Sequence, residues 1–450
     1  MSWVSSSEIR SKFANLMSKM YQNEVPLYGD LIELVTDVNN VTLDQSSELK
    51  KQLEQTNQLQ RLHEERHGAI RLGKAEELNI IRRVFRVMGM SPVGYYDLVP
   101  AGVPVHATAF RATEIDELNQ SPFRVFTSLL RLELIQDSTL RETAAKILEK
   151  RQIFTPRAIQ LLEKFEQQNG LDAKDADEFI LEVLETFRWH TEAPVSKELY
   201  QALHDQHRLI ADVVAFKGPH INHLTPRTLD IDTVQSEMLR KGISAKAIIE
   251  GPPRRKCPIL LRQTSFKALN EKVAFIAEAG SHTARFGEIE QRGVALTPKG
   301  RALYDTLLSK ARERLGKAPD DANAAEYTRI LEEEFVKFPD NYVDLYKEKL
   351  AYFNFIPAKP LHSAANINDL ETLIENGSIL IEPIVYEDFL PVSAAGIFQS
   401  NLGDAGQNQY HQNSNQKLFE QSLGTPVLDE MALYEKTQRD SLDFCFKKIA

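Results

Sequence analysis

Only two cysteines, Cys257 and Cys445, occur in 450 residues. That is too few for a disulfide framework or a cysteine-ligated metal site, and it fits a reducing compartment. An excess of positive charge is also missing, since 54 Lys and Arg against 64 Asp and Glu leave a formal net charge of -10. The basic residues are scattered, which argues against nucleic acid or an anionic membrane as the main partner and favours a small-molecule substrate. No apolar run approaches the roughly 20 residues of a membrane-spanning helix. Met1 to Gln22 mix polar and apolar residues without the uninterrupted core of a signal peptide, so the expected location is cytoplasmic. Nothing in the residues sets an oligomeric state. What is present is ordinary globular composition, 42% hydrophobic and 26% charged, in a chain long enough for two or three structural units.

Hydrophobic spacing divides the chain. Residues 1–65 read as a helical segment, with Ser5, Ser6 and Ser7 offering caps and Phe13, Leu16 and Met20 on one face. From Arg66 the period changes. A strand at His67 to Leu72, a helix at Ala75 to Met88 and strands at Pro92 to Val99, Val103 to Ala112 and Phe123 to Ile135 give a first β-α-β-β-β module over 66–136. A helical insertion is predicted over 137–215. The strand pattern then resumes over 216–296: His220 to Arg227, a helix at Asp232 to Arg240, then Ala245 to Glu250, Cys257 to Phe266 and Thr283 to Arg292. The remainder, 297–450, is predicted to be mainly helical, with a strand at Ser378 to Tyr386 and a packed, pocket-covering loop at 387–402. The fold class is therefore α+β, with two paired βαβββ modules enclosing a cavity.

Both modules open with the same pattern, His67-Gly-Ala-Ile-Arg71 and His223-Leu-Thr-Pro-Arg227. Residues four apart on a strand share a face, so each strand offers an imidazole and a guanidinium about 13 Å apart on one side. Pairing the modules would present two imidazoles to one cavity. A carboxylate can come from Arg285-Phe-Gly-Glu-Ile-Glu-Gln-Arg292, where Glu288 and Glu290 share a face and Gly287 permits close approach. Two histidines and one carboxylate with open positions suit non-haem iron(II) and dioxygen, and leave a positive centre for an anionic, chelating substrate.

Competing roles are assigned to other residues. His220 lies an odd number of residues from His223 and is expected to face away from the site. His204 and His207 fit a solvated helix face, and His106 fits core packing. Glu133 is the rough repeat counterpart of Glu288 and a second-rank ligand; the role of Arg227 stays open. His63-Glu64-Glu65-Arg66-His67 matches the His-Glu-x-x-His pattern of zinc hydrolases, which needs helix through both histidines. Gly68 and the strand-like residues after it argue against that, and the repeat at His223 would go unexplained. An oxygen-independent metal lyase or isomerase on the same fold, or a non-enzymatic binding protein, are the other readings.

Five stretches carry a resemblance: Glu65-Arg-His-Gly-Ala-Ile-Arg71, Met90-Ser-Pro-Val-Gly-Tyr-Tyr-Asp97, Lys217-Gly-Pro-His-Ile-Asn-His-Leu-Thr-Pro-Arg227, Arg285-Phe-Gly-Glu-Ile-Glu-Gln-Arg-Gly293 and Asp388-Phe-Leu-Pro-Val-Ser-Ala-Ala-Gly396. Together they resemble the bacterial 2-oxoadipate dioxygenase/decarboxylases, also called 2-hydroxyglutarate synthases. The resemblance implies a vicinal-oxygen-chelate fold and an iron(II) enzyme of lysine catabolism that converts 2-oxoadipate and dioxygen to D-2-hydroxyglutarate and carbon dioxide. It implies metal ligands at His67, His223 and Glu288, a substrate-binding arginine at Arg71, and a substrate contact at Val392 with Ser393 adjacent. The strand carrying Glu288 is also similar to the ligand strand of 4-hydroxyphenylpyruvate dioxygenase, which favours Glu288 over Glu290.

Overall fold

The change of period at Arg66 is where the first strand forms. The computed structural model describes residues 3–276, 278–358, 370–390 and 413–449. In it, β1 (Arg66–Leu72) leads to a helix at Ala75–Val87 and then to β2 (Ser91–Asp97), β3 (Val105–Arg111) and β4 (Arg124–Leu130). β1 runs parallel to β4, with His67 opposite Arg124; β4 and β3, and β3 and β2, are antiparallel.

The second module repeats this wiring. β5 (His223–Pro226) leads to a helix at Ile231–Arg240, capped by Asp230, whose side chain accepts from Thr233 N. β6 (Leu261–Ser265) and β9 (Phe286–Arg292) follow, β9 being parallel to β5 with His223 opposite Phe286 and antiparallel to β6. A hairpin of β7 (Asn270–Phe275) and β8 (Glu278–Thr283) is inserted between them. The modules join through β1 and β5, antiparallel, with His67 opposite Thr225 and Gly68 opposite Leu224. The outcome is one seven-stranded sheet in the order β2-β3-β4-β1-β5-β9-β6. Gly68 makes the join possible: a Cβ there would lie 2.6 Å from Ile221 Cδ1 and 3.2 Å from the His223 carbonyl oxygen.

The N-terminal helix, Ser6–Glu24, is capped by Ser5 and buries Ile9, Phe13, Met17 and Tyr21 completely, a stripe at four-residue spacing. Its last turn reaches the site strands. The Tyr21 hydroxyl lies 3.0 Å from the Asn222 carbonyl and 2.9 Å from that of Phe286, so one donor straps the starts of β5 and β9 together. The insertion is helical at Ser138–Lys150, Pro156–Gln168, Ala173–Leu184, Lys197–Gln206 and Arg208–Ala215. The C-terminal region holds helices Pro298–Leu315, Ala324–Phe335 and Glu430–Ile449 and a ribbon of β10 (Phe353–Pro357) with β11 (Ile379–Pro383). Among the described residues, no helix is long and apolar enough to cross a membrane.

Several expected elements differ. β5 is shorter than His220 to Arg227, and residues 245–250 make only isolated bridges, Ala245 to Phe266 and Glu250 to Gln263. This segment stands where β2 stands in the first module, and Gly251, with φ of +107°, and Pro252 turn it out of the sheet. β4 stops at Leu130, with a short 3-10 turn at Leu132–Leu134. The hairpin and β10 were not anticipated. The hairpin turns few apolar side chains inward, Val273 and Phe275 among them, and β10 depends on a partner strand more than twenty residues further on.

Candidate metal centre

β1, β5 and β9 are neighbours, so the side chains they turn the same way meet. His67, His223 and Glu288 each offer one ligand atom within 4.8 Å of the others. His67 Nε2 is 3.2 Å and His223 Nε2 4.0 Å from Glu288 Oε1, and the imidazole centroids are 5.5 Å apart with the rings nearly perpendicular. All three side chains are fully buried. Among the described residues, His67 Nε2, His223 Nε2 and Glu288 Oε2 have no hydrogen-bond partner. Orphaned polar atoms at such depth are costly unless something compensates them. Two imidazole nitrogens and a carboxylate oxygen converging on one point form a donor set that fits a divalent metal ion.

A second layer orients the donors. Thr225 Oγ1 donates to Glu288 Oε1 at 3.1 Å, and Gln263 Nε2 donates to the same oxygen at 2.7 Å. On the far side of the ring, His67 Nδ1 lies 3.0 Å from Glu290 Oε2. Arg292 in turn grips Glu290 through Nε and Nη2 at 2.8 and 2.9 Å. Glu290 is therefore an orienting carboxylate behind His67 rather than a member of the donor group. Burial would raise the Glu290 carboxyl, but Arg292, His67 and Arg124 outweigh it and hold it at about 2. Burial pushes His223 down to about 4, partly opposed by Glu288, which leaves its ring neutral at pH 7 with a lone pair to give. At His67 burial is overcome by Glu290 and Glu288, and its pKa is raised; a cation between the donors would satisfy these carboxylates in place of the proton.

Behind Phe286, whose ring centroid is 4.9 Å from that of His223, and Ser265, which pairs in register with Glu288, opens a cavity of about 980 Å³. Arg71, Tyr200, Asp212 and His282 line it. Arg71 is mostly buried and donates from Nη1 to Asp212 Oδ2 at 2.6 Å. Phe389 closes the other side of the centre, 4.9 Å from the His67 ring. Val392 and Ser393 lie outside the described residues.

The remaining candidates are placed elsewhere. His63 is exposed and the helix Gln58–Glu64 ends before His67, so the His-Glu-x-x-His reading fails for want of a common helix. Glu133 is on the turn at Leu132–Leu134, exposed and ion-paired with Arg131. By strand register the counterpart of Glu288 in the first module is Phe126, two residues beyond the partner of His67 as Glu288 is two beyond that of His223. That module puts a phenyl ring where the second puts a carboxylate. His220 is not in the donor group; its Nε2 lies 3.4 Å from Asp212 Oδ1. His106 is buried against Tyr95 and Phe419, and burial lowers it to about 4. His207, expected on a solvated face, instead caps Arg208–Ala215 by accepting from Leu209 N. A Cβ at Gly287 would lie 2.2 Å from Phe266 Cε1, so this glycine admits a neighbouring ring, not another backbone or a ligand.

Arg227 does not repeat the part of Arg71. It donates to Glu65 Oε2 at 3.0 Å inside a buried ion cluster. Glu65 also accepts from Arg61 at 3.1 and 3.2 Å and from Arg124 at 2.6 Å, while Arg61 and Arg124 both reach Glu387. Sequence reasoning missed Glu65, Gln263, Asp212 and His282. Thr225 was within reach, being two residues from His223 and hence on the same strand face.

Paired βαβββ modules with a His-His-Glu group at their junction define the vicinal-oxygen-chelate class of fold and site. The sequence profile of the 2-oxoadipate dioxygenase/decarboxylase family matches residues 13–401, and the chain belongs to that family. It is 58% identical to the 2-oxoadipate dioxygenase/decarboxylase of Pseudomonas putida, over 99% of this chain and 98% of that protein. It is 55% identical to the Escherichia coli protein of the same name, over 98% of each. A crystal structure of the Pseudomonas putida hydroxyglutarate synthase in complex with 2-oxoadipate superposes with a TM-score of 0.94, at 56% identity and 99% coverage of both chains.

Proposed function

We propose that this chain is an iron(II)-dependent 2-oxo acid dioxygenase that converts 2-oxoadipate and dioxygen to D-2-hydroxyglutarate and carbon dioxide, in the cytoplasm and as a step of lysine catabolism. The observation that carries it is the meeting of His67, His223 and Glu288, drawn from three strands and two modules, behind the Phe286 and Ser265 that line a cavity shared with Arg71. The substrate named for the relatives, an anionic 2-oxo diacid, matches that chemistry.

When bound, iron(II) would supply the redox chemistry, activating dioxygen for loss of the carboxyl next to the keto carbon and hydroxylation of the neighbouring carbon. The equation balances: both oxygen atoms are retained, one in the new carboxylate and one in the new hydroxyl, while the original carboxyl carbon leaves as carbon dioxide. The residues around the seat have distinct tasks. His67, His223 and Glu288 hold the metal, with Gln263 and Thr225 fixing one oxygen of Glu288 and leaving the other for coordination. Glu290 sets the orientation of the His67 ring. Phe286 and Phe389 shield the imidazoles from water. Arg71 pairs with the far carboxylate of the substrate and so reads its chain length.

The test is oxygen uptake by iron(II)-loaded protein given 2-oxoadipate, with carbon dioxide and 2-hydroxyglutarate measured in parallel at one mole of each per mole of oxygen. Turnover without oxygen would replace this reading with a metal-dependent lyase or isomerase. The Arg71→Ala variant should raise the KM for 2-oxoadipate by roughly 10- to 100-fold, the worth of one charge-assisted contact, with its iron content intact. An unaltered KM would remove Arg71 from substrate binding.

A further inference from the structure

We infer that Asp212 is a positioning residue that fixes Arg71, and that it thereby sets the discrimination between dicarboxylic and monocarboxylic 2-oxo acids; the inference rests on the part given to Arg71 above. A long arginine side chain loses rotamer freedom when it is ordered, so an arginine that measures a distance from the metal seat has to be held beforehand. Asp212, on the helix Arg208–Ala215, does the holding, with Oδ2 accepting from Arg71 Nη1 at 2.6 Å. Its other oxygen, Oδ1, lies 2.9 Å from His282 Nε2 and 3.4 Å from His220 Nε2.

A carboxylate only accepts, so His282 carries its proton on Nε2. Its Nδ1 lies 2.8 Å from the Tyr200 hydroxyl, which donates to it when the ring is neutral. Tyr200, His282, Asp212 and Arg71 thus form one hydrogen-bonded chain. It links the helix Lys197–Gln206, β8, the helix Arg208–Ala215 and β1, and all four side chains face the same cavity. Burial would raise the Asp212 carboxyl, but His220 and Arg71 hold it well below the usual carboxylate range, so it stays ionised. The β7–β8 hairpin has no strand counterpart in the first module, where only a short helix, Ile115–Gln120, lies between β3 and β4. His282 is the buried polar side chain that this insertion contributes, and it is committed to Asp212.

The experiment compares 2-oxoadipate with 2-oxohexanoate, a monoacid of equal chain length, by oxygen uptake on iron-loaded wild type, Asp212→Asn, Tyr200→Phe, Arg71→Ala and the Arg71→Ala/Asp212→Asn double variant. Asp212→Asn should raise the KM for the diacid about tenfold while kcat stays within about threefold. Its iron content and its KM for the monoacid should not move. Tyr200→Phe should act in the same direction by about two- to threefold, which keeps the inference testable if Asp212→Asn fails to fold. Because Asp212 acts through Arg71, the double variant should match Arg71→Ala alone. An unchanged diacid KM in both single variants, additive losses in the double variant, or equal losses for both substrates would overturn the inference while leaving the proposed function standing. A wild type that consumes no oxygen with 2-oxoadipate sinks both.

Discussion

Replacing His223 with alanine should strip the protein of metal. Removing an orienting neighbour of a metal ligand costs roughly 10- to 100-fold in affinity, and removing a ligand itself should cost more than about 100-fold. After iron(II) loading and dialysis, metal analysis should find the wild type near one equivalent and His223→Ala near none, with oxygen uptake lost in proportion. Glu288→Gln should behave similarly, since an amide is a poor substitute for the one anionic donor among the three. His220→Ala is the matched control. Its target is also a buried histidine of the same segment, but its Nε2 faces Asp212 at 3.4 Å, so metal content should hold. A His223→Ala protein that retained iron like the wild type would remove this ion from the junction of the modules.

The second large effect is on stability. Glu65 is fully buried and takes hydrogen bonds from Arg61, Arg124 and Arg227. Glu65→Ala leaves three guanidiniums short of their counter-charge, and breaking a buried ion pair in this way costs about 3–5 kcal/mol. Denaturant unfolding should show the loss as a lower midpoint with an unchanged slope; a change under about 1 kcal/mol would mean that Glu387 and Glu290 can balance the cluster alone.

The same cluster sets an acid limit. Burial would raise both Glu387 and Glu290, but Arg61 and Arg124 for the first, and chiefly Arg292 for the second, hold each at about 2, against an ordinary value of 4.5. Depressed carboxylates bind fewer protons in the folded than in the unfolded chain. Their stabilisation is therefore complete above about pH 4.5 and is lost as pH falls towards 2. Stability measured by denaturant should already decline from pH 7 to 5, because His223 and His106, held at about 4, stay neutral in the fold while unfolded histidines charge near 6.5. It should keep falling below pH 4.5 as the carboxylates take up protons; a rise on acidification would contradict the sign.

Much of the arrangement could be read from residues because it depends on short-range periodicity. The order of elements in the first module follows from alternation and from the amphipathic helix at Ala75–Val87, whose Leu78, Ile81 and Phe85 are buried. The repeat of His67 and His223 at equivalent strand starts placed two imidazoles on strands that pair. The hairpin was harder to see: its strands are largely exposed, with one residue in several turned inward, so they lack the apolar alternation that marks a half-buried strand. Glu133 failed as a counterpart of Glu288 because β4 ends at Leu130, and counting along a strand has no meaning past its end.

The sequence alone determined the two-module plan and the residue types at the junction, since side-chain alternation is a property of each strand by itself. Glu288 and Glu290, however, lie two apart on one strand face and are equivalent by that rule. Resemblance favoured Glu288, but the physical separation comes from the tertiary structure, which inserts the His67 ring so that Nε2 meets one carboxylate and Nδ1 the other. The setting of Arg71 was likewise decided in three dimensions. Asp212 and His282 come from a helix and a hairpin far away in sequence, and no local period records which distant side chains a fold will bring within hydrogen-bond reach.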